Sequence, residues 1–330
     1  MALWIPGSGW EERKMAELTK QELYAHVGAD EVQAEHIEKP QLSYWKDVVR
    51  RFFSNKVAIL SVAVLAVLIV MAIVGPFLSP YNYRTTDVAS VSDKLAEVGR
   101  EALGPDREHW FGVDTLGRDL WARVWMGTRY SLMIGFVAAI VQAIIGVMVG
   151  CVSGYCGGMV DVVIMRIVDI LDSIPYLIYV IIIMIIFGSG LLPIMLALTL
   201  TGWLSMARMV RGQILTLKSE DYILAARNLD TKAVSIMLKH LIPNCMGIII
   251  VSLSMAIPNA IFSEAFLSFL GIGLAAPLTS LGQLISTGIQ EMQNYPYQLI
   301  IPSAVISLLM LSLQLIGDGL RDAVDPKLRR

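Results

Sequence analysis

Long runs of apolar residues without charge constrain the fold of this chain more than any other feature of its sequence. A helix needs about 20 such residues to cross a hydrocarbon core of about 30 Å. The chain is 55% hydrophobic and 16% charged, whereas soluble domains carry about 25% charged residues. The predicted spans are Val57–Phe77, Tyr130–Gly154, Met159–Phe187, Leu191–Val210, Met246–Leu270 and Leu299–Gly317. The sequence therefore predicts an all-α integral membrane protein with six transmembrane helices.

The polar regions divide the chain around these spans. Residues 1–55 are predicted to form a cytoplasmic N-terminal segment, and residues 56–330 the transmembrane domain. Leu42–Phe53 combines aromatic and basic side chains, which suit the headgroup layer, so an interfacial elbow helix is predicted there. Within the transmembrane domain, a large loop is predicted over residues 78–129 and a second polar loop over residues 211–245.

Positive charge in the short loops sets the predicted orientation, because basic residues tend to stay on the cytoplasmic side. Residues 271–298 contain neither Lys nor Arg, whereas the region around the 211–245 loop is basic. Its basic residues are Arg208, Arg211, Lys218, Arg227, Lys232 and Lys239. Both termini and this loop are therefore predicted to be cytoplasmic. The 78–129 loop is predicted to be external although it also carries basic residues, since long loops follow the rule poorly.

The polar stretch from residue 220 to residue 243 is typical of two short helices between two spans. Ser219 is predicted to cap the first helix, because its hydroxyl can accept a free amide proton. The second helix is predicted to start at Asp230 or Thr231. It is predicted to end before Pro243, which lacks an amide proton and clashes with the preceding turn of a helix.

The order of residues in this stretch resembles the cytoplasmic coupling loop of ABC importer permeases, in their dipeptide, oligopeptide and nickel branch. The matching features are Tyr222-x-x-Ala225-Ala226-Arg227, a turn at Asp230, and Ile242-Pro243-Asn244. The resemblance implies ATPase-coupling roles for Tyr222, Ala225, Ala226, Arg227, Asp230 and Pro243. Small residues such as Ala225 and Ala226 allow a close approach to another protein. The family usually has glycine at the turn. Asp230 is expected to preserve that joint, since Asp adopts left-handed backbone angles more readily than most residues, and it is also a possible cap for the second helix.

Three further motifs extend the resemblance over residues 45–330. They are His109-x-Phe111-Gly112-x-Asp114-x-x-Gly117-Arg118-Asp119, Glu264-x-x-Leu267-Ser268-Phe269-Leu270-Gly271-x-Gly273 and Gly317-Asp318-x-Leu320-Arg321-Asp322-x-x-Asp325-Pro326. Together they resemble the permease subunit with a large first external loop, of the oligopeptide and dipeptide permease C type. The resemblance implies the type I ABC importer permease fold and a multi-pass location in a bacterial or archaeal cytoplasmic membrane.

The function implied by the resemblance is that of a transmembrane permease subunit of an ATP-driven importer. Such a subunit forms half of a translocation path for peptides and couples to ATPases through residues 220–243. The implied partners are a second permease subunit, two cytoplasmic ATP-binding subunits, an extracellular substrate-binding lipoprotein, the peptide substrate and membrane lipid, without nucleic acid. The chain has no GxxxxGK[ST] sequence, so ATP is expected to be hydrolysed on partner subunits, and this chain is expected not to be an enzyme and to need no cofactor. Its histidines are scattered without an HExxH sequence and its cysteines form no CxxC pair, so no metal site is expected. Dipeptides, oligopeptides, nickel chelates and glutathione-like compounds are all compatible cargoes.

Charged residues in two spans give further candidates for a gate or translocation path. Arg166, Asp169 and Asp172 share one face of the third helix, and Arg166 is expected to pair with Asp169. This face is either a structural ion pair or part of the path. Glu264 is the only ionised residue inside the fifth span, where charge is costly and usually faces protein or water. It is either a buried, hydrogen-bonded strut or, in the alternative function, the proton site of a proton-coupled secondary transporter. A membrane enzyme is disfavoured, because the spans show no paired nucleophile and base.

Overall fold

The computed structural model describes residues 44–84, 104–274 and 277–325, and every regular element within these ranges is a helix. From the amino end the helices are α1 (Tyr44–Ser54), α2 (Lys56–Leu78), α3 (Leu120–Cys156), α4 (Gly158–Ser173), α5 (Tyr176–Phe187), α6 (Leu191–Leu217), α7 (Asp221–Asn228), α8 (Ala233–Ile236), α9 (Ile242–Phe269), α10 (Leu281–Gln290) and α11 (Tyr297–Val324). A π turn, Met237–Leu241, joins α8 to α9. Most of the predicted N-terminal segment, residues 1–43, lies outside the described ranges, while α1 matches the predicted elbow helix.

The number of membrane spans in the structure agrees with the number predicted from the sequence. Within the described ranges, five helical stretches are long and apolar enough to cross a membrane. They are α2, α3, α6, α11 and the stretch Ala233–Phe269, which contains α8, the π turn and α9. Helices α4 and α5 form a sixth span if the pair counts as one, although they meet at an angle of 82°. The predicted all-α fold with six spans is confirmed in this form.

The third predicted span is broken rather than continuous, so the prediction of one helix over Met159–Phe187 is wrong. Helix α4 ends at Ser173, and the next residue, Ile174, has an extended backbone with ψ 126°. Pro175 explains the break, because proline pushes the preceding residue out of the helical region and removes an amide donor. The change of direction between α4 and α5 is 82°.

Helices α3 and α6 extend beyond the predicted ends of their spans. Helix α3 begins at Leu120 rather than Tyr130. Its start is fixed by Asp119, whose Oδ2 accepts a hydrogen bond from the Ala122 amide at 2.9 Å. Helix α6 continues past Val210 to Leu217, so residues 211–217 of the predicted loop are helical. In the sequence, the charged residues near these helix ends indicate loops. A helix that projects beyond the apolar layer can also carry charged residues, which is why the predicted ends were too short.

Helices α3 and α6 pack backbone against backbone. A Cβ atom at Gly150 would lie 2.4 Å from the carbonyl oxygen of Ala207, and one at Gly146 would lie 2.6 Å from the Cβ atom of Met206. Side chains four residues apart share one face of a helix, so these glycines form a flat surface on α3. Small residues permit such close packing of spans. Any side chain larger than hydrogen at either position would force the two helices apart.

An apolar cluster at the carboxyl end of α3 anchors the polar loop to the spans. This inner cluster contains Cys151, Met206, Ile214, Ile223, Ile236, Leu241 and Cys245 among its buried residues. Its members come from α3, α6 and α9 as well as from α7, α8 and the π turn. The loop helices are therefore part of the same core as three spans. The cysteines are all free, and Cys156 is exposed whereas the other two are buried.

Candidate coupling loop and buried charge networks

The first loop helix, α7, turns one side chain into the bundle and leaves the others at its surface. Ile223 is fully buried in the inner cluster, whereas Tyr222, Leu224 and Ala225 are exposed. Ala226 is half-buried and packs against the inner cluster. The two alanines therefore differ. Ala225 faces outward, where a partner could contact it, and Ala226 faces partly inward.

The start of α7 differs from its predicted form. The Ser219 hydroxyl donates to the carbonyl oxygen of Thr216 at 2.8 Å, so it completes the end of α6 instead of capping the next helix. The N-cap residue is Glu220, whose side chain makes no capping hydrogen bond. The prediction of a Ser219 cap is wrong because the preceding helix is longer than predicted and uses that hydroxyl. Partial burial raises the pKa of the Tyr222 phenol, so the phenol is neutral at physiological pH.

Asp230 forms a rigid left-handed joint at the end of α7. Its φ is 55°, the only positive value for a non-glycine among the described residues. The amide of Thr231 donates to the carbonyl oxygen of Ala226 at 3.2 Å, and the amide of Asp230 to that of Arg227 at 3.0 Å. This pair of hydrogen bonds is the Schellman arrangement that ends many helices. The predicted left-handed turn is confirmed, but Asp230 does not cap the second helix, whose N-cap is Lys232.

The second loop helix continues into a membrane span. The prediction that it ends before Pro243 is wrong, because Ala233–Phe269 is one continuous helical stretch. The amide of Ile242 donates five residues back, to the carbonyl oxygen of Met237. A π turn of this kind changes the hydrogen-bond register. Pro243 lies just after this π turn, and it has no amide hydrogen to donate to the preceding turn. The joint at Asp230 is therefore followed directly by a helix that enters the bundle.

Two side chains attach the loop to the carboxyl end of α3. The guanidinium of Arg227 lies over the Tyr155 ring, 4.8 Å from its centroid. The ammonium of Lys218 donates to the carbonyl oxygen of Gly154 at 3.1 Å. A cation favours the carbonyl end of a helix, where the dipole is negative. Together with Ile223, these contacts hold the loop against α3 and the inner cluster.

Acidic residues of α4 pair with arginines of α6. The predicted pair of Arg166 with Asp169 is wrong. Arg208 instead bonds to Asp169 at 3.1 Å and to Asp172 at 2.8 Å, and Arg166 makes no ion pair within the described ranges. Because α6 runs on past the apolar layer, Arg208 reaches α4 from a neighbouring helix. These side chains are about half exposed, so we expect the pairs to contribute little stability.

A second ion pair between the same helices was not predicted. Arg211 binds Asp161 through two nitrogen atoms at 2.5 Å, and Asp161 also accepts a hydrogen bond from the Ser153 hydroxyl. The fork of the guanidinium matches a carboxylate. One feature of the sequence is consistent with these pairs. Arg208 and Arg211 are three residues apart, which places both on the side of α6 that faces the acidic helix α4.

Glu264 lies near the other end of α9, far from the coupling loop. Its side chain is fully buried. One carboxylate oxygen accepts from the Ser268 hydroxyl at 2.7 Å, and the other accepts from the Ser131 hydroxyl at 3.1 Å. Ser131 also lies 3.4 Å from the amide of Leu281, and Ser268 lies 3.2 Å from the Ser280 hydroxyl. The carboxylate thus sits where α3, α9 and the start of α10 meet.

The motif before α3 folds onto the start of that helix. His109 Nδ1 lies 3.0 Å from the Asp119 carboxylate. Asp114 pairs with Arg118 at 2.8 Å and with Arg123 of α3. Asp119 and Arg123 are nearly inaccessible. The charged residues that the sequence presented as a motif therefore shape this segment and attach it to α3.

Comparison with known sequences places the chain in a family. A family model described as "Binding-protein-dependent transport system inner membrane component" matches residues 146–330. A second, described as "N-terminal TM domain of oligopeptide transport permease C", matches residues 43–96. The chain belongs to this family of importer permeases, in its oligopeptide and dipeptide branch. The predicted family is therefore confirmed.

Individual relatives are similar in sequence to this permease over almost its whole length. It is 44% identical to the oligopeptide transport system permease protein OppC of Bacillus subtilis, over 93% of this chain and 98% of the relative. It is 44% identical to the dipeptide transport system permease protein DppC of the same species, over 90% of each chain. The OppC protein of Escherichia coli is 41% identical over 89% of this chain and 95% of the relative. None of these relatives supports the proton-coupled alternative.

A solved transporter supports the fold. The structure titled "Inward facing conformations of the MetNI methionine ABC transporter" matches with a TM-score of 0.50 and 20% identity, over 61% of this chain and 97% of that chain. This similarity concerns the fold alone, and it confirms the predicted type I importer permease architecture. The permease is accordingly a multi-pass protein of the cytoplasmic membrane. A permease of this class works with a partner permease, ATPases and a substrate-binding protein.

Proposed function

We propose that the permease forms half of a translocation path for peptides, and that cytoplasmic ATPases drive it through the 220–243 loop. The support for a peptide cargo is the identity with relatives named as oligopeptide and dipeptide transport permeases. The complete importer would contain a second permease subunit, two ATP-binding subunits and an extracellular substrate-binding lipoprotein. ATP would be hydrolysed on the partner subunits, so this chain would perform no covalent chemistry.

The observation that carries the coupling role is the mechanical continuity of the loop. Helix α7 exposes Tyr222, Leu224 and Ala225, and Ile223 anchors the opposite side in the inner cluster. The left-handed joint at Asp230 leads into a continuous helix that spans the membrane. A displacement of α7 would therefore reach α9 without passing through a flexible linker.

The exposed side of α7 has the chemistry of a protein contact. Tyr222 is 42% exposed, Leu224 43% and Leu229 80%, and an acidic and a basic residue, Asp221 and Arg227, flank them. Isolated exposed apolar residues are normal, but aromatic residues such as Tyr222 and arginines such as Arg227 are enriched in protein interfaces. An ATPase cleft that accepts the small Ala225 side chain would cover this surface.

The proposed orientation follows from the basic residues. The 211–245 loop, residues 1–55 and the C-terminal tail would lie on the cytoplasmic side, and the 78–129 loop would lie outside. Both ion-pair systems between α4 and α6 would then be near the cytoplasmic surface. Asp169 and Asp172 would pair with Arg208 rather than contact the cargo. Arg166 would be the remaining candidate in this group for contact with the translocation path.

Glu264 would act as a strut near the outer end of the path. Its carboxylate joins hydroxyls from α3 and α9, and the serine and amide at the start of α10 lie beside them. A charge at this depth is expensive unless protein groups satisfy it. The serine hydroxyls supply that satisfaction, which favours a structural role over a proton site.

Reconstitution of the importer tests this function. The permease, its partner permease, the ATPases and the binding protein are placed in vesicles, and uptake of a radiolabelled peptide is measured. We expect uptake with ATP and none with a pH gradient alone. Uptake that a pH gradient drives without ATP would instead support the proton-coupled alternative, and vesicles without the ATPases provide the control.

A further inference from the structure

One side of the short helix α1 is fixed to the bundle. Residues four apart share a face of a helix, and successive residues are about 100° apart around it. Val48 and Phe52 are four apart and buried. They share an apolar cluster with Ala58 of α2 and Ala323 at the end of α11. This buried stripe sets how α1 is turned, and therefore which of its other side chains face outward.

The next stripe around α1 is apolar but uncovered by the chain. Trp45, Val49 and Phe53 are spaced by four, and they are 42%, 53% and 59% exposed. The exposed apolar surface continues onto the start of α2, where Val57 is 53% and Leu60 66% exposed. Because α2 is a membrane span, its exposed apolar residues suit lipid. The apolar stripe of α1 adjoins that surface in sequence and has the same chemistry, so we assign it to the acyl region of the same membrane.

Beyond the apolar stripe lies a basic one. Lys46 and Arg50 are four apart, and each follows a residue of the apolar stripe by one position, or about 100°. Both are exposed, and neither makes an ion pair or a side-chain hydrogen bond among the residues that the structure describes. Arg51 differs, because it lies a further 100° around α1 and bonds to Asp47 at 3.0 Å. The border of the apolar stripe thus carries two positive charges without a counter-charge.

The chemistry of this border fits the phosphate of a lipid headgroup. A helix with aromatic residues on one side and Lys or Arg beside them lies in the membrane interface. With the apolar stripe in the acyl layer, the ends of Lys46 and Arg50 reach the headgroup level, while their stems lie along apolar surface. A guanidinium can bind two phosphate oxygens at once, and an ammonium acts as a point charge. Anionic lipids attract such residues more strongly than zwitterionic lipids do.

We propose that Lys46 and Arg50 form a binding site for the phosphate of an anionic phospholipid, whose acyl chains lie against Trp45, Val49 and Phe53. The inference goes beyond the proposed function and does not depend on the cargo. The orientation decides only which leaflet supplies the lipid, and the proposed orientation makes it the cytoplasmic one. The site is specific to one border of α1, so Arg51 is excluded from it.

Fluorescence quenching by labelled lipids tests the site in the full-length permease. Val49→Cys carries a bimane fluorophore in a Cys156→Ser background, because Cys156 is the exposed native cysteine. The protein is held in neutral detergent micelles and titrated with phosphatidylglycerol or phosphatidylcholine that carries a nitroxide on its acyl chain. We expect both lipids to quench the fluorophore and phosphatidylglycerol to bind about 25-fold more tightly, since each basic residue contributes about fivefold. About 0.5 M sodium chloride should reduce this preference by screening.

Substitutions separate the site from the net charge of the helix. Lys46→Gln and Arg50→Gln should each lower the preference to about fivefold, and the double variant should abolish it. Arg50→Lys should retain most of it. Arg51→Gln is the matched control, because it removes one charge from the opposite border and should change the preference by less than about twofold. Quenching by phosphatidylcholine should persist in every variant, which shows that α1 remains folded against the membrane.

Four results would overturn the proposal. Absence of quenching by phosphatidylcholine in the Val49→Cys protein would show that protein or water, not lipid, covers the apolar stripe. Equal binding of the two lipids would remove the role of the headgroup charge. An equal loss in Arg51→Gln and Arg50→Gln would show that only net charge matters. Displacement of phosphatidylglycerol by inorganic phosphate, beyond that by chloride at equal ionic strength, would assign the two side chains to a free anion instead.

Discussion

Replacement of Glu264 tests whether its carboxylate holds three helices together. The side chain is fully buried, and its oxygens accept from Ser268 at 2.7 Å and from Ser131 at 3.1 Å. Glu264→Ala would remove the acceptor from both hydroxyls and leave a cavity where α3, α9 and α10 meet. Glu264→Gln would keep the volume and one acceptor oxygen.

The expected magnitude follows from these contacts. Hydrogen bonds between membrane helices contribute about 0.6 to 1.7 kcal/mol each. Only the bond to Ser131 joins two helices, and if the bond to Ser268 within α9 contributes a similar amount, the two serines account for roughly 1 to 3 kcal/mol. Loss of two buried methylene equivalents adds about 2 kcal/mol. We therefore expect Glu264→Ala to lower the free energy of unfolding by about 3 to 5 kcal/mol. Glu264→Gln should lower it by about 1 kcal/mol, the scale of a single weakened hydrogen bond.

Chemical unfolding in mixed micelles measures these changes, and a double-mutant cycle isolates the contact. Combined with Ser268→Ala, Glu264→Ala should show a coupling energy of about 0.5 kcal/mol or more, because the two side chains touch. Ser252→Ala is the control on the same helix. It lies twelve residues away, roughly 18 Å along the axis, and its effect should simply add.

Three results would refute this reasoning. A loss below about 1 kcal/mol in Glu264→Ala would show that surrounding groups replace the carboxylate. Strict additivity of Glu264→Ala with Ser268→Ala would show that the hydrogen bond between Glu264 and Ser268 contributes nothing. A shift in the pH dependence of uptake by Glu264→Gln would indicate a transported or relayed proton, since the amide cannot titrate.

Other perturbations test separate parts of the account. Because a left-handed angle costs a non-glycine residue about 1 to 2 kcal/mol, Asp230→Gly should keep uptake and Asp230→Val should impair it. Equal uptake by both variants would contradict the strained joint. Arg211→Glu should abolish uptake and Arg211→Glu with Asp161→Arg should restore part of it, since the pair is partly shielded, with side chains 32% and 13% exposed. If the double exchange does not restore uptake, the ion pair between Arg211 and Asp161 is not the reason why Arg211→Glu loses it. Cysteines at Leu95 and Gln290 should react with an impermeant thiol reagent from outside intact cells, and one at position 230 should not. Labelling at 230 would reverse the proposed orientation.

The number and identity of the spans were predictable because uncharged runs of about 20 residues have few other solutions. The ends of the helices were less predictable. The sequence places Arg211 in the predicted 211–245 loop, but the helix continues to Leu217, and both Arg208 and Arg211 pair with acidic residues of α4. The break at Pro175 was visible as a proline, while its 82° angle depends on packing against other helices.

In the coupling loop, too, some features could be predicted from the sequence and others could not. The left-handed angle at Asp230 was predicted from the glycine preference of related loops and is present. The continuation through Pro243 was not predicted, because a single proline in a sequence gives no indication of a π turn five residues long. The partners of Glu264 also could not be identified, since Ser131 and Ser280 are distant in sequence and only the fold brings them together.

The structure also changes the choice of residue for a test of ATPase docking. Both alanines of the loop were predicted to contact the ATPase. Ala226 is half-buried against the inner cluster, so a large residue there would also disturb the loop itself. Ala225 is exposed and makes the cleaner probe.

Co-purification of the ATPases with the Ala225→Glu permease tests the central claim most directly. A glutamate would bring bulk and an unpaired carboxylate into a close protein contact, which is enough to force such a contact apart. We expect normal abundance in the membrane, because the residue lies outside the spans, together with loss of the ATPases and of peptide uptake. Ala225→Ser, which changes size little, should retain both. Normal co-purification and uptake by Ala225→Glu would contradict the account, because α7 would then not be the surface through which ATP hydrolysis moves the permease.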